Sequence, residues 1–444
     1  MKKLLIRNGT LLTMAGDRQP IKADLLVVDG RIKAIDSIIG RGQRADLTID
    51  ASGMFVVPGF IFGHARLGFS TLRGQTDQIL DDTEREKIAL RLVANLSADQ
   101  VRRSAELGIC QAIRGGVTTL FEGGSMQYTD QIFEAARILG FSLIGGRLLA
   151  DRTPDWPDSL RVSFRDQVSD MQELARDITS NSQDGLLRYA VNVTNPLFCS
   201  DECLTHAKAF ADANGYPLKI ALTTDKSQLE RLRREGGPQE IASLEALGVL
   251  GEHTFLVNPT QTSSLEQNII RKSGARVVAN VSADLKLGRP LSRLPEFVRN
   301  GTPVLPGFES PVYGGRMDAI RELSILAMAF RPQYGPQVMT PEQVLSMVTI
   351  DAARALGLDE ELGTLEPGKR ADIVLVNSAP DVFSQPSAHT NAYSRLVYQA
   401  SASNIAATII NGQIVYQEGH VTRYDEAALV EQTNADLVSL LERA

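Results

Sequence analysis

The sequence lacks several features that would place it outside the ordinary globular proteins. Its 444 residues contain only three cysteines, an odd number that fits a reducing compartment better than a framework of disulfides. No apolar run reaches the 18 or more residues expected of a membrane-spanning helix, and polar residues interrupt the apolar start of the chain too early for a signal peptide. The sequence therefore predicts a cytoplasmic protein without a membrane anchor.

Clusters of basic residues and glycine-rich phosphate-binding loops are also absent. The chain carries 46 basic and 53 acidic side chains, for a formal net charge of −7, which argues against nucleic acid or an anionic membrane as the main partner. Its 43% hydrophobic and 22% charged residues are typical of a globular protein with a large core. A small-molecule ligand or substrate is the expected partner.

Strand and hairpin patterns occur at both ends of the chain. Asp29 and Gly30 separate two apolar runs, and Asn411 and Gly412 do the same near the other end, which is the pattern of two-residue β-hairpins. Each region alone has too few strands to bury a sheet face. We therefore expect residues 1–57 and 364–425 to form one small composite β-sandwich domain.

The intervening residues 58–363 alternate short apolar runs with longer helical stretches, which predicts βαβ units and a parallel sheet. Eight such runs over roughly 300 residues favour an α/β fold of the (β/α)8 TIM type, with reactive groups at the carboxyl ends of the strands. Residues 426–444 read as an amphipathic C-terminal helix that supplies packing surface.

Several segments resemble the amidohydrolase superfamily, in the branch of cytosine deaminases, chlorohydrolases and S-adenosylhomocysteine deaminases. The resemblance covers nearly the whole chain and supports the barrel and the composite β domain. The segments that carry it are Val57–His64, Gly116–Thr119, Leu285–Gly288, Thr349–Gly357 and Leu362–Asp372.

The resemblance implies a metal site whose ligands this sequence largely lacks. The family's first barrel strand ends in His-x-His, but here the triplet is His64-Ala65-Arg66. The sixth-strand histidine is replaced by Asn258, and the eighth-strand aspartate by Glu309.

The fifth strand departs from the family pattern as well. Ala221 stands where the family has a histidine, and Thr224 stands where it has a general-base glutamate; a shift of one residue would bring Asp225 to that position instead. A substrate-contacting histidine of the family corresponds to Thr194.

These replacements argue against a catalytic zinc, which needs three or more good ligands and one open position. A cation about 4 Å from another unit charge of the same sign costs roughly 4 kcal/mol at an effective dielectric of about 20, so Arg66 opposes a divalent ion. The sequence thus predicts no metal and no other cofactor.

His64, Arg66, Lys219 and Glu309 are the candidate catalytic residues. Arg66 is expected to take the place of the metal cation and to pair with Glu309, either as a functional group or merely as a strut across a vacated cavity. His64 could act as a base or simply be hydrogen-bonded to Glu309 or Asn258, and Lys219 could act as a base or pair with Glu122 or Asp284. Candidate substrate-binding residues are Arg73, Glu122, Thr194, Thr224, Asn258 and Asp284.

Three functions remain open at this point. The first is a metal-independent enzyme that uses acid–base and electrostatic catalysis on a small carboxylate-bearing or nitrogen-heterocyclic molecule, by hydrolysis, elimination or isomerisation. The second is a catalytically inactive protein of the same fold that binds a ligand or a partner subunit. The third is a zinc-dependent C–N hydrolase or deaminase with unusual ligands. The resemblance also implies a homo-oligomer.

Overall fold

The structure is a computed structural model of the whole chain. It describes residues 2–39, 45–182, 184–224, 230, 240–378, 391–422 and 424–443.

The described strands are numbered in chain order. They are β1 (Lys3–Leu11), β2 (Ile21–Val28), β3 (Arg31–Asp36), β4 (Leu47–Asp50), β5 (Met54–Pro58), β6 (Phe60–Ala65), β7 (Val117–Glu122), β8 (Ser142–Gly145), β9 (Leu148–Leu149), β10 (Leu187–Tyr189), β11 (Val191–Val193), β12 (Leu218–Ala221), β13 (Thr254–Val257), β14 (Arg276–Ala279), β15 (Val304–Pro306), β16 (Ile373–Asn377), β17 (Ile405–Ile410), β18 (Gln413–Gln417) and β19 (His420–Val421).

The described α-helices are numbered in the same way. They are α1 (Asp82–Ala94), α2 (Ala98–Arg114), α3 (Thr129–Leu139), α4 (Phe164–Asn181), α5 (Asp201–Asn214), α6 (Glu240–Ala246), α7 (Ser264–Ser273), α8 (Val281–Lys286), α9 (Leu294–Arg299), α10 (Ala319–Ala329), α11 (Arg331–Tyr334), α12 (Pro341–Met347), α13 (Ile350–Leu356), α14 (Ala392–Tyr398) and α15 (Glu426–Leu441). Short 3-10 helices cover Leu67–Leu72, Asp158–Leu160, Pro196–Phe198 and Ala402–Asn404. None of the described helices is long and apolar enough to cross a membrane.

The chain divides into two compact units. The first contains residues 1–62, 110–119 and 317–426, and the second contains residues 63–109, 120–316 and 427–444. This division groups residues that pack together within each unit. The predicted domain boundaries at 57/58 and 363/364 instead separate the strands of the β domain from those of the barrel. These boundaries therefore remain a prediction.

A nine-stranded sheet lies in the first unit and joins strands from both ends of the chain. Its order is β19-β18-β17-β16-β5-β1-β2-β3, with β4 paired to β1. Strand β5 pairs antiparallel with β16 through Pro58 opposite Ile373 and Met54 opposite Asn377. The predicted composite β domain is therefore confirmed, because strands near both termini complete one sheet.

The two predicted hairpin turns have the backbone conformation that their sequences favour. Asp29 and Gly30 both have positive φ, at 48° and 80°, as do Asn411 and Gly412, at 49° and 70°. Two-residue hairpins of type I′ require positive φ at both positions, which asparagine, aspartate and glycine tolerate best. Alternate residues of the flanking strands, including Leu25, Val27 and Ile409, then bury their side chains in one apolar cluster.

The parallel strands form the predicted (β/α)8 barrel, which is confirmed. Two segments each make up the third strand (β8 and β9) and the fourth (β10 and β11). One run of neighbours is β10-β8-β7-β6, the other is β15-β14-β13-β12-β11-β9, and the described pairs between successive strands are parallel. A parallel bridge between Ala65 and Glu309 connects the first strand to the segment after the eighth.

The apolar run from Phe55 to Ile61, which the sequence shows as one continuous stretch, belongs to two strands. Strand β5 ends at Pro58 and the barrel strand β6 begins at Phe60, so Gly59 is the point where the chain leaves the sheet. A Cβ atom at Gly59 would lie 2.2 Å from Oγ1 of Thr118, which leaves room only for glycine. Apolar periodicity cannot reveal this break because both strands are buried.

The helices of the second unit begin where side chains accept hydrogen bonds from the first backbone N–H groups. Ser263 and Glu266 form a capping box at the start of α7, and Ser200 accepts from Cys203 N at the start of α5. The predicted C-terminal helix is α15, where Asp436 accepts two hydrogen bonds from Arg103, at 2.6 and 2.8 Å. Helix α5 packs against β11 and β12, two of the barrel strands whose ends carry the candidate site.

Candidate active site

Polar side chains of the second unit gather at the carboxyl ends of the barrel strands. This is the edge at which barrel enzymes carry their working residues. The members of this group are His64 at the end of β6, Glu122 at the end of β7, Lys219 on β12, Asn258 after β13, Asn280 after β14 and Glu309 after β15. All six are buried, with at most 8% of the residue surface exposed.

Glu309 is the centre of a hydrogen-bond network in which both carboxylate oxygens are occupied. Oε2 accepts from Nδ2 of Asn258 at 2.6 Å and from Nδ2 of Asn280 at 3.0 Å. Oε1 accepts from the backbone N of Ser310 at 3.0 Å and lies 3.5 Å from Nε2 of His64. Four donors therefore take up the roughly four acceptor directions of a carboxylate.

The backbone at two members of this network is in the left-handed region. Asn258 has φ 59° and Glu309 has φ 66°. This conformation is uncommon for residues other than glycine, and residues held in it cluster at functional sites. Asn280 is the common support, because its Oδ1 accepts from Glu309 N at 3.0 Å and its Nδ2 donates to Asn258 Oδ1 at 2.7 Å.

His64 is a neutral imidazole with one free nitrogen. Burial lowers the pKa of His64 to about 4, although Glu309 acts in the opposite direction. When Nε2 carries the hydrogen and donates to Glu309, Nδ1 has a lone pair, and no described residue occupies it. A Cβ atom on Gly123 would lie 2.5 Å from His64 Cε1, so glycine at this position leaves space beside the ring.

Glu309 itself stays ionised. Burial raises the pKa of its carboxyl, but the hydrogen bond from His64, the N–H of Ser310 and the charge of Arg289 outweigh burial, so the net pKa lies below the usual range. The network thus combines a carboxylate with amide, backbone and imidazole donors.

Lys219 lies inside the barrel without the acidic partner that was predicted for it. Its Nζ donates to the carbonyl oxygens of Phe121 at 2.7 Å and Gly63 at 3.2 Å, and it stands 3.6 Å from the centroid of the Phe121 ring. Within the described residues, no carboxylate oxygen lies within 4 Å of Nζ, so the predicted ion pair with Glu122 or Asp284 is absent. Burial lowers the pKa of this amine well below its usual value.

Glu122 and Asp284 are buried carboxyls with displaced pKa values. Glu122 accepts from Gly124 N at 2.5 Å through Oε2, and burial raises its pKa to about 7. Asp284, near the start of α8, has no described partner for either oxygen, and burial raises its pKa to about 8 with help from the charge of Glu309. Both carboxyls can therefore carry a proton at neutral pH.

The predicted ion pair between Arg66 and Glu309 is wrong. Among the described residues no carboxylate lies within 4 Å of the Arg66 guanidinium, and His64 is the basic side chain beside Glu309. Arg66 is half-buried, and its side chain runs along Gly123, where an added Cβ atom would meet Arg66 Cγ at 3.0 Å. The Arg66 guanidinium therefore has no acidic partner within 4 Å among the residues that the structure describes.

For the remaining predicted site residues, the structure gives positions but does not decide their roles. Arg73 donates from Nε to the carbonyl of Gly315 at 3.0 Å, which ties its loop to the segment after β15. Thr194 is buried at the end of β11 and Thr224 is half-buried beyond β12, both at the edge where the site lies. Their substrate-binding roles remain predictions, and Asp225 lies outside the described residues.

Sequence reasoning missed two residues. Asn280 directly follows strand β14, which is a signal that could have identified it. Glu240 gave no such signal: it lies at the start of α6, yet its carboxyl contacts Thr223 near the end of β12. No group of three or more His, Cys, Asp or Glu residues within the described ranges is arranged to hold a metal ion.

Comparisons with known proteins agree with this architecture. The model of the amidohydrolase family matches residues 55–415. The chain is 27% identical to a 5-methylthioadenosine/S-adenosylhomocysteine deaminase of Syntrophobacter fumaroxidans, over 94% of this chain and 93% of the relative. It is 25% identical to a 5'-deoxyadenosine deaminase of Methanothermobacter thermautotrophicus, over 99% of both chains.

Solved structures show the same fold. An adenosine deaminase from Xanthomonas campestris with bound zinc superimposes with a TM-score of 0.88 at 21% identity, over 99% of both chains. The atrazine chlorohydrolase TrzN from Arthrobacter aurescens, complexed with zinc, superimposes with a TM-score of 0.85 at 20% identity, over 97% of this chain and 99% of that one.

Proposed function

The chain belongs to the amidohydrolase family, whose model covers most of its length, and on that premise we propose a function for it. We propose that it binds and converts a small nitrogen-heterocyclic molecule by acid–base and electrostatic catalysis that does not require a divalent metal. The observation that carries this proposal is the Glu309 network, in which amide, backbone and imidazole donors occupy the carboxylate.

The donor set argues against the zinc that is present in the two solved relatives. Zinc prefers nitrogen, sulfur and carboxylate oxygen ligands with free lone pairs, and a catalytic site provides three of them. Here Glu309 has its acceptor directions filled, and Asn258 turns its Nδ2 donor toward that carboxylate. Arg66 adds a positive charge where the family pattern has a histidine. Of the described residues at the family's ligand positions, His64 is the one that retains a lone pair for a metal, through Nδ1.

The same residues provide groups for moving protons. The free Nδ1 of His64 can accept a proton, while Glu122, with its pKa near 7, can either donate or accept one. Asp284 keeps its proton up to about pH 8 and can donate a hydrogen bond to a ring nitrogen. Arg66 can stabilise negative charge that develops on the ligand. Several displaced pKa values in one site are a recognised indication of function.

The nitrogen heterocycle is suggested by the relatives. The two named above are deaminases of adenosine derivatives, and the family fold also occurs in an atrazine chlorohydrolase. Such ring systems present adjacent donors and acceptors, which would satisfy the unpartnered oxygens of Asp284 and the free oxygen of Glu122.

Metal analysis and a substrate panel test the proposal together. Protein purified without chelator should contain well below one equivalent of zinc, and chelator treatment should leave turnover unchanged. The panel comprises 5'-methylthioadenosine, S-adenosylhomocysteine, 5'-deoxyadenosine, guanine and atrazine. A stoichiometric metal whose removal abolishes turnover would instead establish a zinc hydrolase with unusual ligands.

A rebuilt metal site is the matched control. The variant Arg66→His/Ala221→His/Asn258→His restores three imidazoles at the positions of the family pattern and frees Glu309 from one amide donor. This variant should retain zinc through the same purification. That result would show that the metal analysis can detect an occupied site.

A ligand-binding protein without chemistry is the second candidate, and one observation favours it. Glu309 and its donors are hydrogen-bonded to one another. Within this network, His64 Nδ1 is the atom left available for a reaction. Panel compounds that raise the melting temperature but are recovered unchanged would support this candidate over catalysis.

A further inference from the structure

A second polar cluster lies near the end of strand β12, outside the Glu309 network. Glu240 Oε1 lies 2.9 Å from Thr223 Oγ1, and both Glu240 oxygens lie 3.2 Å from Thr223 N. Thr223 Oγ1 also lies 2.7 Å from Asn195 Oδ1. The Asn195 oxygen is identified by the backbone N of Leu197, which donates to it at 2.9 Å.

Two full hydrogen bonds at Thr223 Oγ1 need two hydrogens, one more than is present when Glu240 is ionised. A threonine hydroxyl has a single hydrogen. If that hydrogen is donated to Asn195 Oδ1, the contact with Glu240 Oε1 needs a hydrogen from the carboxyl. If Thr223 donates to Glu240 instead, two oxygens without a hydrogen between them face each other at 2.7 Å. A protonated Glu240 satisfies both contacts, because it donates to Thr223, which donates to Asn195.

We infer that Thr223 faces the interior of the barrel by continuing the alternation of β12, which itself ends at Ala221. Successive side chains of a strand alternate between its two faces, so Lys219, Ala221 and Thr223 point the same way. Lys219 points inward, since its Nζ contacts Phe121 O and Gly63 O. The ladder continues past the end of β12, where Leu222 N donates to Val257 O at 3.0 Å. Thr223 therefore lies one residue beyond the level of Asn258, on the side where the site opens.

We propose that Glu240 stores the proton that this site transfers, and that it delivers the proton through the Thr223 hydroxyl to a nitrogen of the bound heterocycle. The inference deepens the proposed function and rests on it. In the transfer, the ligand nitrogen replaces Asn195 Oδ1 as the acceptor. Thr223 gives its hydrogen to that nitrogen and receives the hydrogen of Glu240. The ligand gains one positive charge, Glu240 becomes a carboxylate, and a proton taken up from the buffered solvent later restores the Glu240 carboxyl.

The surroundings of Glu240 suit this exchange near neutral pH. Burial raises the pKa of Glu240 to about 7, while the two hydrogen bonds with Thr223 lower it. Among the described residues, the charged group that acts on it is Glu266 on α7, whose negative charge raises the pKa further. A carboxyl with this pKa holds and releases a proton with similar ease at the pH of a cytoplasm. Glu240 acts through Thr223 and is therefore a positioning residue.

An infrared pH titration tests whether Glu240 holds the proton. The wild type should lose carbonyl absorption of protonated carboxyls with a component centred near pH 7, to which Glu122 and Glu240 both contribute, and Glu240→Gln should reduce that component by about half. Glutamine can still donate to Thr223, so the variant should remain folded. Glu245→Gln, an exposed acid on the same helix, is the matched control and should keep the component. An unchanged titration in Glu240→Gln would overturn the proposal.

Calorimetry in buffers of different ionisation enthalpy tests the delivery, with 5'-methylthioadenosine as the probe. Binding to the wild type near pH 7 should be accompanied by proton uptake from the buffer, as Glu240 is reprotonated. Glu240→Gln and Thr223→Val should lose most of this uptake, whereas Thr223→Ser should retain it. Equal uptake in all variants would overturn the relay. If neither this probe nor the rest of the panel binds, the proposed function fails, while the infrared titration still decides whether Glu240 is the proton store.

Discussion

At the residue scale, a substitution of Arg66 tests whether its positive charge serves function or stability. Because no described carboxylate lies within 4 Å of its guanidinium and the side chain is half-buried, removing it should break no ion pair. Arg66→Ala should therefore change the free energy of unfolding in urea by less than about 1 kcal/mol, while ligand binding or turnover falls at least about tenfold.

Arg66→Lys serves as its control, since it keeps the charge but not the planar donor group. It should recover part of the lost binding. A loss of about 3 kcal/mol or more in Arg66→Ala would instead show a strut whose removal leaves a buried charge unpaired.

Asp284 should make the protein less stable as the pH rises. Its carboxyl keeps a proton up to about pH 8 in the folded chain but releases it near pH 4 when unfolded. The native state thus binds more protons between these values, and the stability that this group contributes is present below about pH 4 and is lost as the pH rises to about 8.

Asp284→Asn should flatten this loss by up to about 1.4 kcal/mol per pH unit, as measured by urea unfolding across that interval. Asp155→Asn, which alters an exposed carboxyl, should leave the slope as it is in the wild type. A wild-type slope that Asp284→Asn does not change would mean that the Asp284 carboxyl is ionised in the folded protein.

The residue scale is also where sequence reasoning was weakest. The positions of His64, Lys219 and Glu309 followed from the resemblance to the amidohydrolase superfamily, but their partners did not. Arg66 was expected beside Glu309, whereas the Glu309 donors are His64, Asn258, Asn280 and the N–H of Ser310. Side-chain direction depends on rotamers and on the backbone at each strand end, and positive φ at Asn258 and Glu309 cannot be read from alternation.

At the element scale, the end of strand β13 places Asn258 in a conformation that a Cβ atom disfavours. Asn258→Ala and Asn258→Gly both remove the hydrogen bonds to Glu309 and Asn280, but only alanine retains the backbone strain at φ 59°. Asn258→Gly should therefore be more stable than Asn258→Ala by about 1 kcal/mol in urea unfolding.

The exposed helical residue Glu245 provides the opposite case. There glycine should be less stable than alanine by about 1 kcal/mol, since no positive φ is involved. If Asn258→Gly is instead less stable than Asn258→Ala, as expected for glycine and alanine at Glu245, the left-handed backbone at residue 258 relaxes once the side chain is removed.

Elements were predicted well where their patterns are local. The two hairpins could be predicted from Asp29-Gly30 and Asn411-Gly412, because few residue types tolerate the positive φ that these turns require. The break at Gly59 was missed because its cause is the approach of Thr118, which is distant in sequence. Glu240 was missed for the same reason, since its contact with Thr223 depends on tertiary structure.

At the scale of the whole molecule, the pairing of β5 with β16 joins the two ends of the chain. Val374 is fully buried at the middle of this pairing, opposite Val57 on one side and Thr408 on the other. Val374→Pro removes an N–H from a central strand and should lower the free energy of unfolding by about 3 kcal/mol or more, as measured by circular dichroism in urea.

The same change at the exposed residue Ile38, which lies outside the strands, is the control and should cost well under about 1 kcal/mol. A tolerated Val374→Pro would indicate that the two halves of the sheet are held by contacts other than this ladder.

The pairing of β5 with β16 also has a consequence during synthesis. Strand β5 leaves the ribosome with its apolar residues Phe55, Val56 and Val57, but its partner emerges roughly 300 residues later. At translation rates of about 5–20 residues per second, that edge has no partner for roughly 15–60 seconds. Unpaired apolar edges invite association with other chains, so newly made copies of this protein should depend on chaperones more than the finished fold does.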